Sequence, residues 1–331
     1  MKKFVYIIIL ISIVFNSCNP KKLVKISGLA QGTTYSISYY EKNGKDYKPE
    51  IDSILKNFDK SVSIYDSTSL ISQVNKSDKP IKVDKYFSDI FNRSCIVSEQ
   101  TNGAFDITVG PLVNAFGFGS KNKSKITPSL IDSLRKLVNY KNVKIESGYI
   151  IKKYPKMLID FNAIAQGYSV DVVSRFLESR NIEDYVVEIG GEVYAKGKKQ
   201  NGEYWNIGIE KPNDMNLQRQ LKATLHLENR AVSTSGTNRK FYIENGKRYS
   251  HEIDPSTGYP VSNSLLSISV VANNCTDADG YATAFMVMGL EKSLTFLKNH
   301  KELEAYFIFS DKNGKMKTFE TDGLKDFLTE K

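Results

Sequence analysis

The apolar positions of the chain recur with two different periods, which predict helices and strands respectively. Residues 48–63 have the apolar spacing of a helix with one buried face, as at Ile51 and Leu55. Residues 35–40, YSISYY, alternate as a half-buried strand does. Further helices are predicted over 85–103 with a stop at Gly103, over 128–140, in the second part of 149–182, and over 277–299 with a break near Gly289.

The remaining strand patterns predict the fold class. They lie in the first part of 149–182, in 184–199, 204–212 and 264–273, three times in 223–255, and twice in 303–321. Asn245-Gly246 and Asn313-Gly314 each separate two strand patterns and predict hairpin turns. Because many strand pairs are hairpins, we expect mixed or antiparallel sheets with packed helices. The predicted class is α+β rather than a doubly wound α/β sheet.

Composition limits the kinds of protein to consider. The chain has 331 residues, 40% of them hydrophobic, enough for one large domain or two closely packed ones. The formal net charge of +9 is compatible with nucleic acid, a membrane surface or a polyanionic small ligand. The lysines are scattered, however, and no arginine-rich helix or aromatic RNA-binding strand accompanies them. A nucleic-acid-binding protein is therefore not expected.

Residues 1–18 have the features of an export signal. Two lysines precede an apolar core that is too short for a transmembrane helix and ends in NSC. A cysteine at this point resembles a bacterial lipobox, which would make Cys18 the lipid-modified first residue of the mature protein. The alternative is cleavage by ordinary signal peptidase, with Cys18 lost or free. Residues 19–331 then form the folded part, in which Cys95 and Cys275 are expected to be free buried thiols.

The stretch 275–285, CTDADGYATAF, is dense in side-chain oxygens. In a helix, Asp279 and Thr283 are at i and i+4, so their oxygens lie on the same face. Such oxygens suit a hard cation such as Mg²⁺, whose coordination substrate phosphates complete. The structural alternative is a capping box of Thr276 and Asp279. Gly280 argues mildly against capping alone, since glycine costs about 1 kcal/mol inside a helix. The spacing leaves both interpretations open.

Three other segments are richer in Gly, Asp, Ser and Thr than packing requires. Residues 103–120 are either a glycine-rich surface loop or a loop whose aromatics and amides line a ring-shaped ligand. Asp160 follows an apolar strand, either as a helix cap or beside a helix N-terminus that accommodates phosphate. Around Arg239 and His251, Ser/Thr-rich turns provide hydroxyls and a cation suited to a pyrophosphate, although an isolated histidine is more often structural.

Taken in order, these segments resemble the ApbE family of flavin transferases (FAD:protein FMN transferases). The matching pieces run from about residue 31 to residue 289. They are QGTTYSI, SIYDSTSLISQVN, GAFDITVGPLVNAFGFG, IDFNAIAQGYSVD, VEIGGEVYAKG, STSGTNRKFY, HEIDPSTGYPV and DADGYATAFMVMG. The resemblance implies an ApbE-like, T-fold-related architecture of two lobes.

The resemblance also implies a Mg²⁺-dependent reaction with FAD as substrate. A Ser or Thr hydroxyl of an acceptor protein, typically a subunit of a membrane redox complex, attacks the FMN phosphorus, and AMP leaves. An exported, lipid-anchored protein suits this family. Two alternatives are retained: a Mg²⁺-dependent FAD pyrophosphatase that releases FMN and AMP, and a lipid-anchored flavin-binding protein without activity.

Site roles are carried over from the resemblance residue by residue. Asp279 and Thr283 match metal ligands, and Ala163 matches a position that contributes a backbone carbonyl. The proton acceptor is assigned first to His251 and second to Asp277. The positions that match flavin-nucleotide contacts are Gln31, Tyr65, Ala104, Phe105, Asp106, Asp160, Gln166 and Ile253, of which Tyr65 matches an aromatic that stacks on a ring. Gln31, Asn162 and Gln166 depart from the usual family residues.

Overall fold

The computed structural model describes residues 21–119, 123–212, 220–237, 241–244 and 247–331. The predicted export signal with Cys18 lies outside the described residues, as do Arg239 and the Asn245-Gly246 turn. In the described part of the chain, no helix is long and apolar enough to cross a membrane.

The described residues form strands and helices that alternate irregularly along the chain. The strands are β1 Lys22–Ala30, β2 Thr33–Glu41, β3 Ile81–Lys82, β4 Val143–Glu146, β5 Tyr149–Lys152, β6 Tyr185–Ile189, β7 Glu192–Lys196, β8 Trp205–Glu210, β9 Leu221–Leu227, β10 Arg230–Gly236, β11 Phe241–Glu244, β12 Lys247–Ser250, β13 Leu265–Ala272, β14 Glu304–Ser310, β15 Met316–Glu320 and β16 Leu328–Glu330. The helices are α1 Lys48–Val62, α2 Leu70–Lys76, α3 Lys85–Gln100, α4 Gly110–Ala115, α5 Pro128–Arg135, α6 Ala165–Ser179, α7 Cys275–Met288 and α8 Leu290–Leu297.

One large sheet organises the fold. It has eight strands in the order β1-β2-β6-β7-β10-β13-β14-β15, and each neighbouring pair is antiparallel. Two three-stranded sheets, β16-β9-β8 and β3-β5-β4, and the pair β11-β12 are separate from it. The predicted α+β class with antiparallel sheets and packed helices is confirmed.

The two faces of the large sheet pack against different layers, because successive side chains of a strand point to opposite sides. On β2, Tyr35 and Ile37 belong to the main core with helices α1, α3, α6 and α7. Tyr40 of the same strand faces the other way, into a smaller core with Trp205 and Leu225 of the β16-β9-β8 sheet. The large sheet is thus the middle of three layers.

Two tight hairpin turns stand side by side at one end of the large sheet. Gln31 and Gly32 join β1 to β2 with φ values of 55° and 73°, and Gly190 and Gly191 join β6 to β7 with φ values of 68° and 109°. Two residues with positive φ are characteristic of type I′ turns, whose twist matches that of the strands. Gly190 N–H donates to the carbonyl of Thr34 at 3.0 Å, so the turns are in contact.

Several predicted elements differ in extent. The helix predicted over 85–103 ends at Gln100, because Asn102 and Gly103 take φ values of 51° and 78°. The helix predicted over 128–140 ends at Arg135. The last long helix begins at Cys275 and divides at Gly289, whose φ is 76°. Residues 223–255 take part in four strands, β9 to β12, rather than the three predicted.

Candidate functional site

A cleft of about 380 Å³ lies where the two hairpin turns of the large sheet meet helices α6 and α7. Its size is in the range of small-molecule sites. It is lined by His251 and by every residue predicted to bind cofactor or metal: Gln31, Tyr65, Ala104, Phe105, Asp106, Asp160, Ala163, Gln166, Ile253, Asp279 and Thr283. Six segments distant in sequence are therefore brought to one place. Asp277 is the one predicted site residue of the described chain that does not line the cleft.

Asp279 projects from α7 to the floor of the cleft and is only 6% exposed. Its Oδ2 accepts a hydrogen bond of 2.9 Å from Gly167 N–H in the first turn of α6. Its Oδ1 lies 3.5 Å from the Ser233 hydroxyl. Burial, with a smaller contribution from the charge of Asp171, raises the pKa of Asp279 to about 7. A cation beside this carboxylate would offset the cost of ionising it.

The first turn of α6 is shaped to receive that carboxylate. The residue preceding the helix, Ile164, provides no side-chain cap, so Asp279 satisfies an N–H group that would otherwise lack a partner. A Cβ at Gly167 would lie 2.3 Å from the Cys275 carbonyl oxygen and 2.7 Å from the Cβ of Asp279. Glycine is thus required by the close approach of α6 and α7.

The oxygen ligands predicted for a metal are present together. Asp279 and Thr283 lie one turn apart on α7, and Ala163, which precedes α6, lines the same cleft. One carboxylate, one hydroxyl and one carbonyl suit Mg²⁺, which keeps open positions for water or phosphate oxygens. Among the described residues no group of three or more His, Cys, Asp or Glu side chains is placed to hold a metal. A group of His and Cys side chains would suit a transition metal such as zinc rather than Mg²⁺.

The predicted capping box of Thr276 and Asp279 is wrong. The N-cap of α7 is Asn274, whose Oδ1 accepts from Asp277 N–H at 2.8 Å and whose amide donates to Asp277 Oδ2 at 2.8 Å. The helix begins earlier than predicted, and Asp277 rather than Asp279 is the acid that contacts the cap residue. Thr276 instead donates its hydroxyl to Asp171.

The same contacts remove Asp277 from consideration as the proton acceptor of the cleft. Its Oδ1 accepts from the guanidinium of Arg93, and its Oδ2 is held by Asn274. The carboxylate therefore stabilises the start of α7 and its contact with α3, outside the cleft. Gly280, which the sequence linked to the metal interpretation, also has a packing reason: a Cβ there would lie 3.2 Å from Ile164 Cδ1.

Gln31 and Glu252 line the cleft with buried polar atoms that have no hydrogen-bond partner among the described residues. These are the amide of Gln31, with both its oxygen and its nitrogen, and both carboxylate oxygens of Glu252. Glu252 is 5% exposed, and its Oε2 lies 3.5 Å from Nδ1 of His251. Since buried polar groups are nearly always hydrogen-bonded in proteins, these atoms indicate a polar ligand with both donors and acceptors.

Asp106 and Asp160 line the cleft and also hold its walls. Asp106 Oδ1 accepts from the backbone and hydroxyl of Thr108 at 2.7 and 2.6 Å, and its Oδ2 accepts from Tyr140 N–H at 2.9 Å. Burial raises the pKa of Asp106. Asp160 Oδ1 accepts from Asn162 N–H at 2.8 Å, which shapes the turn before α6 rather than capping the helix. Both carboxylates thus have a structural task.

Aromatic side chains border the mouth of the cleft. Tyr65 is 62% exposed at the rim, a position from which its ring face is available to a ligand. Phe118, from the glycine-rich segment 103–120, lies edge-on to the ring of His251 with centroids 6.4 Å apart. The interpretation of 103–120 as a loop that lines a ligand site is supported by Phe105 and Phe118, which both face the cleft.

Sequence reasoning missed two acids of the cleft. Glu192 begins β7 directly after the Gly190-Gly191 turn, and its Oε1 lies 3.4 Å from the Ser233 hydroxyl that also approaches Asp279. Glu252 lies between His251 and Ile253, both of which were singled out. The available signal was membership of two matching motifs, since Glu192 lies in VEIGGEVYAKG and Glu252 lies in HEIDPSTGYPV.

Comparison with known proteins gives one consistent family. A family model described as ApbE family matches residues 31–307. A protein of Vibrio cholerae named FAD:protein FMN transferase is 35% identical over 318 residues, which cover 94% of each chain. A Haemophilus influenzae protein of the same name is 34% identical, with 95% of each chain covered.

Solved structures agree with these relatives. The flavin transferase ApbE from Vibrio cholerae has a TM-score of 0.83 at 34% identity, covering 93% of this chain and all of the other. The apo form of Pseudomonas stutzeri flavinyl transferase ApbE has a TM-score of 0.83 at 30% identity, covering 93% of this chain and 97% of the other.

Proposed function

This chain belongs to the ApbE family and is an FAD:protein FMN transferase, and we propose that it transfers FMN from FAD to a Ser or Thr hydroxyl of an acceptor protein in a Mg²⁺-dependent reaction that releases AMP. The observation that carries the proposal is that Asp279 and Thr283 share one cleft with His251 and Tyr65. A metal-binding wall, a proton acceptor and an aromatic ring are the parts this reaction needs.

Asp279, Thr283 and the carbonyl of Ala163 are the residues that would hold Mg²⁺. When bound, the ion neutralises charge on the pyrophosphate and so favours displacement at phosphorus. The first turn of α6 fixes Asp279 through Gly167, which keeps the carboxylate aimed at the cleft. The ring of Tyr65 would stack on one of the two ring systems of FAD, and the amide of Gln31 would pair with polar ligand atoms.

The transfer itself makes one bond and breaks one. The acceptor oxygen bonds to the FMN phosphorus while the bond from that phosphorus to the bridging oxygen breaks, and AMP leaves with that oxygen. His251 is the residue we assign to take the hydroxyl proton. Its imidazole lines the cleft and lies beside the buried carboxylate of Glu252, which would stabilise the imidazolium as it forms.

An assay with three readouts tests the proposal. The protein is incubated with FAD, Mg²⁺ and candidate acceptor domains, and AMP release, acceptor mass and free FMN are followed. One AMP for each FMN-modified acceptor is expected. AMP and free FMN with an unmodified acceptor would identify a Mg²⁺-dependent FAD pyrophosphatase instead, and the absence of AMP would identify a flavin-binding protein without activity.

We also propose that the protein is exported and anchored to a bacterial membrane through a lipid on Cys18, where its acceptor is a subunit of a membrane redox complex. The proposal is supported by the sequence of residues 1–18. Mass spectrometry of the mature N-terminus tests it: a diacylated Cys18 is expected, and an unmodified N-terminus at another residue would contradict it. A Cys18→Ser variant should then lack the lipid in the same measurement.

A further inference from the structure

A second depression, of about 650 Å³, adjoins the cleft. It lies between the turn at residues 100–104 and the exposed face of α8 that carries Glu291, Lys292 and Thr295, and we refer to it as the α8 groove. Ala104 and Val287 line both the cleft and the groove. The two spaces therefore share a wall.

One face of α7 leads from the candidate metal ligands to this groove. Asp279, Thr283 and Val287 are at i, i+4 and i+8, so they lie in a row along the helix. At 1.5 Å per residue, each step is about 6 Å. The α8 groove thus begins about one helical turn, roughly 6 Å, beyond Thr283, within the reach of two residues of extended chain.

The chemistry of the α8 groove suits a polypeptide. Phe296 and Met288 are half-buried and give it an apolar floor, while Asn102, Thr295 and Asn299 are exposed polar side chains on its rims. Amide and hydroxyl groups on both sides can pair with backbone N–H and C=O groups. The groove runs beside α8, which is about 12 Å long and so matches about four residues of extended chain.

We propose that the α8 groove seats an extended segment of the acceptor protein and presents its hydroxyl to the cleft. This proposal rests on the proposed transfer reaction, in which the acceptor oxygen must reach a phosphorus held near Asp279 and Thr283. Another depression, of about 340 Å³, shares Tyr65 and Asp160 with the cleft. No residue of α7 lines that depression, so it offers no comparable approach to the metal ligands.

The test is a bulky substitution within the groove, with matched substitutions outside it. Thr295→Trp, at an exposed position on α8, should obstruct the groove. Lys298→Trp, just beyond the same helix and outside the groove, and Ser67→Trp, in the Tyr65 depression, are the controls. Each variant is assayed with an acceptor domain that the unaltered protein modifies, and KM for the acceptor, kcat and the Kd for FAD are measured.

For Thr295→Trp the KM for the acceptor should rise about tenfold or more, the effect typical of obstructing an interface centre. The Kd for FAD should stay unchanged, and both controls should behave as the unaltered protein. Asn299→Trp, on the same rim, should also raise the KM for the acceptor. Agreement between the two variants would show that the effect does not come from a local folding defect in one of them.

Three results would overturn the proposal. If Thr295→Trp and Asn299→Trp leave the acceptor KM unchanged, the acceptor docks elsewhere. If they weaken FAD binding, the groove is part of the nucleotide site. If only Ser67→Trp raises the acceptor KM, the acceptor enters from the Tyr65 side. When the unaltered protein itself releases AMP but modifies no acceptor, the transfer function has failed, and the docking proposal fails with it.

Discussion

Asp171 and Asp279 each accept hydrogen bonds from the first turn of the helix that carries the other. Asp171, on α6, accepts from the N–H groups of Cys275 and Thr276 at 2.8 and 2.9 Å, and Asp279, on α7, accepts from Gly167 at 2.9 Å. Carboxylates are favoured at helix N-termini because they meet free N–H groups and the positive end of the helix dipole. The exchange fixes α6 against α7 and so places Asp279 in the cleft.

Gly167→Ala should disturb the reciprocal hydrogen bonds between α6 and α7. The added Cβ would meet the Cys275 carbonyl at 2.3 Å, so the two helices must separate. We expect a loss of about 1–3 kcal/mol in the free energy of unfolding, as for overpacked cores, and weaker Mg²⁺-dependent turnover. Urea denaturation and the AMP assay measure the two effects.

Gly280→Ala is the matched control for that variant. Its Cβ would meet only side-chain atoms, of Ile164 at 3.2 Å and of Val97 at 3.5 Å, and alanine favours a helix over glycine by about 1 kcal/mol. Its stability should therefore change little. If Gly167→Ala and Gly280→Ala lose equal amounts of stability and turnover, the contact between Gly167 and Asp279 is not what holds the cleft in place.

Asp279→Asn should abolish turnover while the fold persists. The asparagine oxygen still accepts from Gly167 N–H, but the negative charge that would hold Mg²⁺ is gone. We expect at least about a 100-fold loss of kcat, because a cation at a phosphoryl centre contributes several kcal/mol. Unchanged Mg²⁺-dependent AMP release in this variant would refute the metal assignment.

Asp277→Asn is the control that separates charge on α7 from charge in the cleft. Its carboxylate pairs with Arg93 and Asn274 outside the cleft, so turnover should stay within about twofold. Stability should fall by about 1 kcal/mol, because the ion pair with Arg93 is lost. Thermal unfolding and the AMP assay check both expectations. Loss of turnover equal to that of Asp279→Asn would return Asp277 to the reaction.

Periodicity predicted the fold class and most elements, because strand alternation and helical spacing report which face of each element is buried. The antiparallel arrangement followed from hairpin turns, of which Asn313-Gly314 is observed with Gly314 at a φ of 78°. Helix ends were less accurate. The start of α7 depends on Asn274 rather than Thr276, and both residues are good caps from sequence alone.

The sequence predicted which residues line the cleft better than it predicted which residues hold them by hydrogen bonds. Ordered motifs identified residues such as Asp279 and Gln31, but no local pattern reports that Asp171 would cap α7 from a helix about a hundred positions away. The same limit hid Glu192 and Glu252, since a single acid in a short motif does not show whether its side chain is buried. Long-range contacts of this kind depend on how the elements pack, which spacing along the chain does not contain.

Tyr65→Ala should weaken FAD binding without affecting the fold. The ring is 62% exposed at the cleft rim, so little core packing is lost, whereas stacking on a base or ring is worth about 1–3 kcal/mol. We expect the Kd for FAD, measured by flavin fluorescence, to rise about 5- to 100-fold. Tyr65→Phe should bind nearly normally.

The control for Tyr65→Ala is Tyr259→Ala. Tyr259 is 40% exposed and lies outside the cleft, with its ring against Phe116. FAD binding should be unaffected there. If the two alanine variants bind FAD equally well, the ring of Tyr65 does not stack on the ligand.

The raised pKa of Asp279 predicts how stability depends on pH and on Mg²⁺. Burial holds that pKa at about 7 in the folded protein, compared with 3.8 ordinarily. Between these values the folded state keeps a proton that the unfolded state has lost. The contribution of Asp279 to stability therefore falls as pH rises from about 4 to about 7 and is level above that. Thermal unfolding of the metal-free protein and of Asp279→Asn should converge at pH 4 and diverge by pH 8, with the variant more stable.

Mg²⁺ should reverse that loss, because it binds the ionised carboxylate and only the folded protein offers the site. Adding Mg²⁺ should raise the melting temperature at pH 8 and have little effect at pH 5, where Asp279 holds its proton. Asp279→Asn should show no such increment at either pH, whereas Asp277→Asn should keep it, since its carboxylate is outside the cleft. A Mg²⁺ increment of the same size at both pH values, or one that persists in Asp279→Asn, would mean that the ion binds elsewhere.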